Sequence, residues 1–419
     1  MRIGYACLTV GVPNVGYKSC ILRNATPLNL LNLIEHNLNV LDKVIDYNIE
    51  NKIQMFRISS DIIPFGSHPV NTVEWQNIFS DTLKAIGEKA VKHGIRLSMH
   101  PGQYTVLNSP NPDVVARAIL DLKYHCDVLD GLNLSSEHKI ILHIGGVYGN
   151  KEEALDRFMA NYKKLDRAIK NRLIIENDDK SYTINDALFI ANRINIPVVF
   201  DNLHHAILHP DNREDEVTLI NRVKQTWQPK DGVQKIHYSE QAMDKKIGAH
   251  SNTVTILPFM EFYKRLNRAD IDIMLEVKDK NLSAKKCINV MTPDQMSLNM
   301  EREWRYYQYL VLEHSPLLYR EIEEQLKEIK QYHIVLFYSL IEKALSQDVI
   351  SQNIVLAAQQ IWLYFEEQVT EKENHQFKKE ILKIKNGQSS MTLKRFLFKL
   401  AKSYEVDSLQ KSYYFKDLW

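Results

Sequence analysis

Eight short apolar runs, each standing among stretches of helical periodicity, recur through roughly the first 290 residues; no other feature constrains the fold as much. The runs are Arg2 to Leu8, Ile53 to Ser59, Ile95 to His100, Lys139 to Gly145, Leu173 to Asn177, the start of Pro197 to His205, Gln234 to Ser239, and Asp272 to Val277. Helical spacing is expected over Leu28 to Asn48, Trp75 to His93, Pro112 to Leu129, Lys151 to Lys170, Ile184 to Ile194 and near Val217 to Trp227. Most of the runs are continuously apolar rather than alternating, which suits parallel strands covered on both faces. Alternation of this kind predicts an α/β fold, a (β/α)8 TIM barrel. A doubly wound open sheet competes, but it gathers its ligands at one switch point, whereas here polar residues end many strands.

From about Met291 the pattern turns wholly helical, over Arg302 to Glu313, Pro316 to Ala344, Ile350 to Glu367, Glu371 to Ile384 and Leu393 to Lys402. The expected organisation is a barrel of residues 1–291 followed by a C-terminal all-helical extension of residues 292–419. Between Lys383 and Lys416, Lys and Arg interleave with Phe and Tyr; this reads as a solvated amphipathic helix packed on the barrel more readily than as a nucleic-acid face.

A formal net charge of +1 over 419 residues gives no bulk attraction for an anionic partner, so such a partner must be held by a local basic patch or by metal ions. Cys7, Cys20, Cys126 and Cys287 are far apart and form no CxxC pair, which indicates neither a disulfide framework nor a thiolate zinc site. With no signal-like apolar region in MRIGYACLTV and no apolar run of membrane-spanning length, the expected location is the cytoplasm.

The ends of the runs carry the chemistry. PVVFDNLHH turns within one residue from grease to Asp201, with His204 following; a purely structural reading makes Asp201 the cap of the next helix. The same event recurs: His68 follows the second run, His100 ends the third, His143 lies near the end of the fourth, and Glu176 ends the fifth. His237 ends the seventh, His250 lies in the loop after it, and Glu276 ends the eighth. In a barrel these ends converge on one mouth. Imidazoles and carboxylates without thiolates suit Zn²⁺, Mn²⁺ or Fe²⁺ rather than Ca²⁺, and nine candidate groups suffice for two or three ions. Clustered cations that activate water and stabilise attacking and leaving oxygens are what phosphodiester hydrolysis requires.

The segments SMHPGQYTVLNSP (98–110), ILHIGG (141–146), LIIEND (173–178), FDNLHH (200–205), KIHYS (235–239) and MLEVKDK (274–280) resemble those of the UV damage endonuclease family, whose barrel is related to that of endonuclease IV. The resemblance covers about residues 1–290 and leaves the helical tail unaccounted for. It implies a repair nuclease that nicks damaged double-stranded DNA immediately 5′ to cyclobutane dimers and 6-4 products, with abasic sites as further substrates, leaving a 3′-hydroxyl and a 5′-phosphate. It further implies two to three divalent ions, manganese ahead of zinc, magnesium or cobalt, in a monomer that joins the nucleoid when acting. By the same resemblance His100 and His143 bind one ion with Glu176 bridging to a second, which Asp201, His237 and Glu276 complete, while His204 and His250 hold a third. His68 is a further active-site histidine, and Lys235 matches a lysine that is carboxylated in the family. Gln103 and Tyr104 match the pair that probes the duplex, and Tyr5 matches another lesion-contacting aromatic, although Thr9 stands where the family can carry asparagine. Two alternatives stay open: a metal-dependent sugar isomerase or epimerase on the same barrel, which needs fewer ions, and a non-catalytic DNA-binding protein dominated by its tail.

Overall fold

The computed structural model describes residues 1–209, 214–292, 296–327 and 334–418. Among these, eight parallel strands close into a barrel in sequence order. They are β1 (Ile3–Ala6), β2 (Met55–Ile58), β3 (Arg96–Met99), β4 (Ile140–His143), β5 (Leu173–Glu176), β6 (Val198–Asp201), β7 (Gln234–Tyr238) and β8 (Ile271–Leu275). The open sheet is thereby excluded: β1 pairs with both β2 and β8, so there is no edge.

Each strand spans four or five residues, less than the apolar run that announced it. The helices also begin where the sequence supplies caps. Thr26 accepts from Asn29 N before Pro27–Glu50, and Asn111 accepts from Asp113 N before Pro112–Gly131. Thr183 and Asp186 form a reciprocal capping box at Ile184–Ile194. Two helices of 11 residues escape the sequence reading, Ile256–Leu266, which contains Pro258, and Asn281–Met291, as does the short Asp407–Gln410. The expected Trp75 to His93 helix is two, Trp75–Ile78 and Ser80–Lys92, and Lys151 to Lys170 breaks into Lys151–Lys164 and Arg167–Arg172.

Side chains on a strand change face at every residue, so positions two apart share the barrel interior. Ala6, Met55 and Met274 meet in one apolar cluster, and Ile141, Ile174 and Val199 in another. Counting two residues on from Ile141, Ile174, Val199 and Met274 reaches His143, Glu176, Asp201 and Glu276. The barrel's own packing therefore aims the ligand-type residues at its C-terminal mouth. Toward the other end the interior is ionic. Arg96, fully buried, donates to Asp272 Oδ2 (3.0 Å) and to the carbonyls of Asp231 (2.8 Å) and Glu137 (2.9 Å).

The chain forms two compact units. One holds Met1–Thr9, Asn14–Val254 and Phe262–Lys285, and the other Val10–Pro13, Thr255–Glu261 and Lys286–Trp419, so residues 10–13, 255–261 and 286–291, read as barrel, belong to the second unit. In the second unit, the segment read as one helix from Pro316 to Ala344 carries Pro316–Lys327 and Ile334–Leu345, and residues 328–333 between them lie outside the described residues. Its core gathers Ala358, Ile361, Phe365, Leu397 and Tyr414, with Trp362 stacked on Phe377 at 4.0 Å. Phe398, Tyr413, Tyr414 and Phe415 are buried, so much of the aromatic half of the basic-aromatic stretch is core and is not offered to bases. Among the described residues no helix is long and apolar enough to cross a membrane.

Candidate metal centre

Glu176 lies at the middle of the mouth and is almost wholly buried. One carboxylate oxygen is 3.2 Å from His100 Nε2, and the other is 2.9 Å from His237 Nδ1. Strand register helps set these distances, since His143 pairs with Glu176 and Asp201 with His237 across neighbouring strands. Ligand atoms of His100, His143 and Glu176 lie within 4.8 Å of one another, and so do those of Glu176, Asp201 and His237. Glu176 is common to both groups.

The histidines are oriented by their other nitrogens, as metal-binding imidazoles usually are. His100 Nδ1 is 3.0 Å from the Pro101 carbonyl, which leaves its Nε2 to face Glu176, and His204 Nδ1 is 2.9 Å from the Asn177 carbonyl. Asn177 also clamps Asp201, accepting from its N–H (2.9 Å) and donating to its carbonyl (3.1 Å).

Several buried ligand-type atoms here have no hydrogen-bond partner: His143 Nδ1, Asp201 Oδ2 and His237 Nε2. Orphaned polar atoms are costly in an interior, and their concentration at one point fits cations as the missing partners. Charge leads to the same reading. Burial pushes Asp201 up to about 7, with Glu176 and Glu276 adding to the rise against His204, as expected of carboxylates crowded without sufficient positive charge. Burial works against the charge of Glu176 too, yet His237, His100 and His143 hold it well below the ordinary carboxylate range. Burial lowers His143 to about 4, so it is neutral and able to donate a lone pair at neutral pH.

Asp201 answers both readings of its segment. Its Oδ1 accepts from His204 N (2.7 Å) as the N-cap of Asn202–Ile207, while Oδ2 stays free for the centre. Glu276 is ion-paired with Arg57 and lies 3.2 Å from His237 Nδ1. Arg57 was missed by sequence reasoning, although a basic residue inside the apolar strand MFRI was a usable signal. His204 Nδ1 is 3.5 Å from Glu176 Oε1, and burial lowers the His250 ring against the pull of Glu276.

Lys235 lies two residues before His237, fully buried, with no partner for Nζ; burial, then Arg96, holds its pKa well below that of an ordinary lysine. A cavity of about 1000 Å³ opens beside the centre, lined among others by His68, Gln103, Tyr104, His143, Asp179 and His204. His68 is exposed there, its Nδ1 accepting from Val70 N (3.1 Å). Gln103 and Tyr104 stand at the tip of a turn closed by Thr105 N donating to Gly102 O, and Tyr104 is 70% exposed. Tyr5 requires a correction. It has no exposed surface, and its hydroxyl is bonded to Thr9 Oγ1 (2.8 Å) and Asn48 Oδ1 (3.0 Å), so in this structure it is a core residue and presents nothing to DNA.

Fold and mouth together define a class: a TIM barrel with a candidate metal centre at the C-terminal ends of its strands. The sequence matches the UV-endonuclease UvdE family over residues 1–300, and the chain belongs to that family. Residues 308–417 match a second family, a protein of unknown function, DUF1722. A UV DNA damage endonuclease of Clostridium perfringens is 39% identical, with 99% of each chain covered. One from Bacillus cereus is 35% identical over 63% of this chain and 83% of its own length. The crystal structure of SacUVDE is similar at 40% identity and a TM-score of 0.65, covering 70% of this chain and 98% of that one.

Proposed function

We propose that this chain is a metal-dependent UV DNA damage endonuclease that nicks duplex DNA immediately 5′ to cyclobutane dimers and 6-4 products, and also at abasic sites, leaving a 3′-hydroxyl and a 5′-phosphate. The observation that carries the reading is the sharing of buried Glu176 between two ligand groups at the mouth of a UvdE-family barrel. In this reading His100, His143 and Glu176 hold one divalent ion; Glu176, Asp201, His237 and Glu276 hold a second; and His204 with His250 takes a third, with manganese the favoured metal. Bound there, the ions supply Lewis acidity toward water and the scissile phosphate.

The protein's own part is placement. Asn177 fixes Asp201 and His204, and Arg57 holds Glu276 ionised. His68, Gln103 and Tyr104 line the cavity that receives the damaged strand, and the exposed Tyr104 ring with the Gln103 amide presses into a stack already weakened by the photoproduct. Lys235, a buried amine whose charge is disfavoured by burial and whose Nζ has no partner, is suited to lose a proton and add its Nζ to the carbon of CO₂, giving a carbamate beside the centre.

Family membership favours this over an isomerase on the same barrel. The test is incision of a duplex carrying one defined photoproduct by manganese-loaded protein, with both new ends mapped. A single cut at the 5′ side of the lesion is expected; equal cutting of undamaged duplex, or none of either, removes the proposal.

A further inference from the structure

The loop that leaves β7 plays no part in the chemistry above, apart from His250 at its far end. Residues 240–251 fold back on themselves. Ala242 N donates to Ala249 O (2.7 Å), Ala249 N to Lys246 O (3.0 Å) and Gly248 N to Gln241 Oε1 (2.8 Å), and Gln241 is bridged to His250. The returning limb is pinned further by Lys278 N donating to Ser251 O (3.1 Å). Gly248 has φ +85°, and a Cβ there would lie 2.9 Å from Asp179 Oδ2, so the loop abuts a residue that lines the cavity.

This internally tied loop presents Met243 and Ile247 to solvent, 94% and 76% exposed, more than any other large apolar side chains among the described residues. Lys245 and Lys246 beside them are also exposed, against one acid in the tip, Asp244. Lys245 neighbours Lys278 and lowers its pKa from the ordinary lysine value. Neighbouring ammonium groups repel, and an anion between them removes the repulsion. An ordered backbone that presents an apolar tip flanked by cations, beside the cavity of an endonuclease, fits a duplex, whose sugars and base edges take the tip and whose phosphates take the lysines.

We infer that the 240–251 loop is a second duplex-gripping element on the cavity rim, in which Met243 and Ile247 wedge against the distorted helix while Lys245, Lys246 and Lys278 hold phosphates. This rests on the endonuclease reading. The test uses full-length, metal-loaded protein on the single-photoproduct duplex. Met243→Ser with Ile247→Ser raises KM roughly 10-fold and leaves kcat within about twofold, as expected when a preordered wedge contributes to binding. Lys245→Ala with Lys246→Ala lowers the slope of log affinity against log salt by about two. Metal content and circular dichroism report that both variants fold.

Wild-type KM and salt slope in both variants overturn the inference. So does sedimentation showing a dimer that only the Met243 and Ile247 changes dissolve, since the tip is then a contact between copies. If the wild-type protein nicks no photoproduct, the endonuclease reading itself falls; if it nicks normally and the loop variants match it, only this inference does.

Discussion

Glu176 sits where two ligand groups meet, with one oxygen toward His100 and the other toward His237. A carboxylate in that position cannot be replaced by its amide without loss of charge and of one acceptor atom. We therefore expect Glu176→Gln to lower incision at least ~100-fold and to reduce bound metal, with unchanged circular dichroism. Full activity in the variant contradicts its bridging role. Lys235 permits a separate check. In protein equilibrated with ¹³C-labelled bicarbonate, a carbamate carbon resonance is expected that disappears in Lys235→Arg; its absence from the wild type returns Lys235 to being an unusual buried amine.

The step from β6 to the short helix Asn202–Ile207 combines support and chemistry in Asp201. Asparagine caps a helix about as well as aspartate, and alanine does not. Asp201→Asn should thus keep the stability of the metal-free protein while abolishing incision, whereas Asp201→Ala should cost about a further 1 kcal/mol in denaturant unfolding. Equal stability of the two variants argues against the cap. At β1, a Cβ on Gly4 would come within 2.0 Å of the Met55 carbonyl oxygen on β2, and Gly4→Ala is expected to destabilise the barrel by about 1–3 kcal/mol or more. The strands and the ligand-type residues at their ends were legible because one period governs both: a β-strand that buries Ile174 must also turn Glu176 inward. The helix Ile256–Leu266 was hidden by Pro258 near its start, and Asn281–Met291 by its polar start and by two lysines at its centre. The burial of Tyr5 was also illegible, since an aromatic at a strand end looks the same whether it faces the mouth or packs against Phe56 behind it.

Across the whole barrel, function and stability occupy opposite ends, as is general for this fold. Asp272 is the buried partner of both Arg96 and Arg2, and Asp272→Ala leaves Arg96 charged in the interior, at an expected cost of ~3–5 kcal/mol. His138, in the same region, is lowered to about 3 by burial and by Arg96 and Arg172, against an ordinary value of 6.5. Between those two values the unfolded chain binds a proton that the folded protein refuses, so stability falls as pH drops through the window and is unaffected above it. His138→Asn should flatten the slope of unfolding free energy by about one proton, ~1.4 kcal/mol per pH unit, between roughly pH 6 and 4. An unchanged slope would mean that the folded protein protonates His138 readily.

The central claim, that side chains from successive strands cage several cations around one shared carboxylate, is tested most directly by counting metal per chain after manganese loading and gel filtration, in wild type and Glu176→Gln side by side. Two or three ions in the wild type and fewer in the variant are expected. One ion or none in the wild type, or the same number in both proteins, contradicts it.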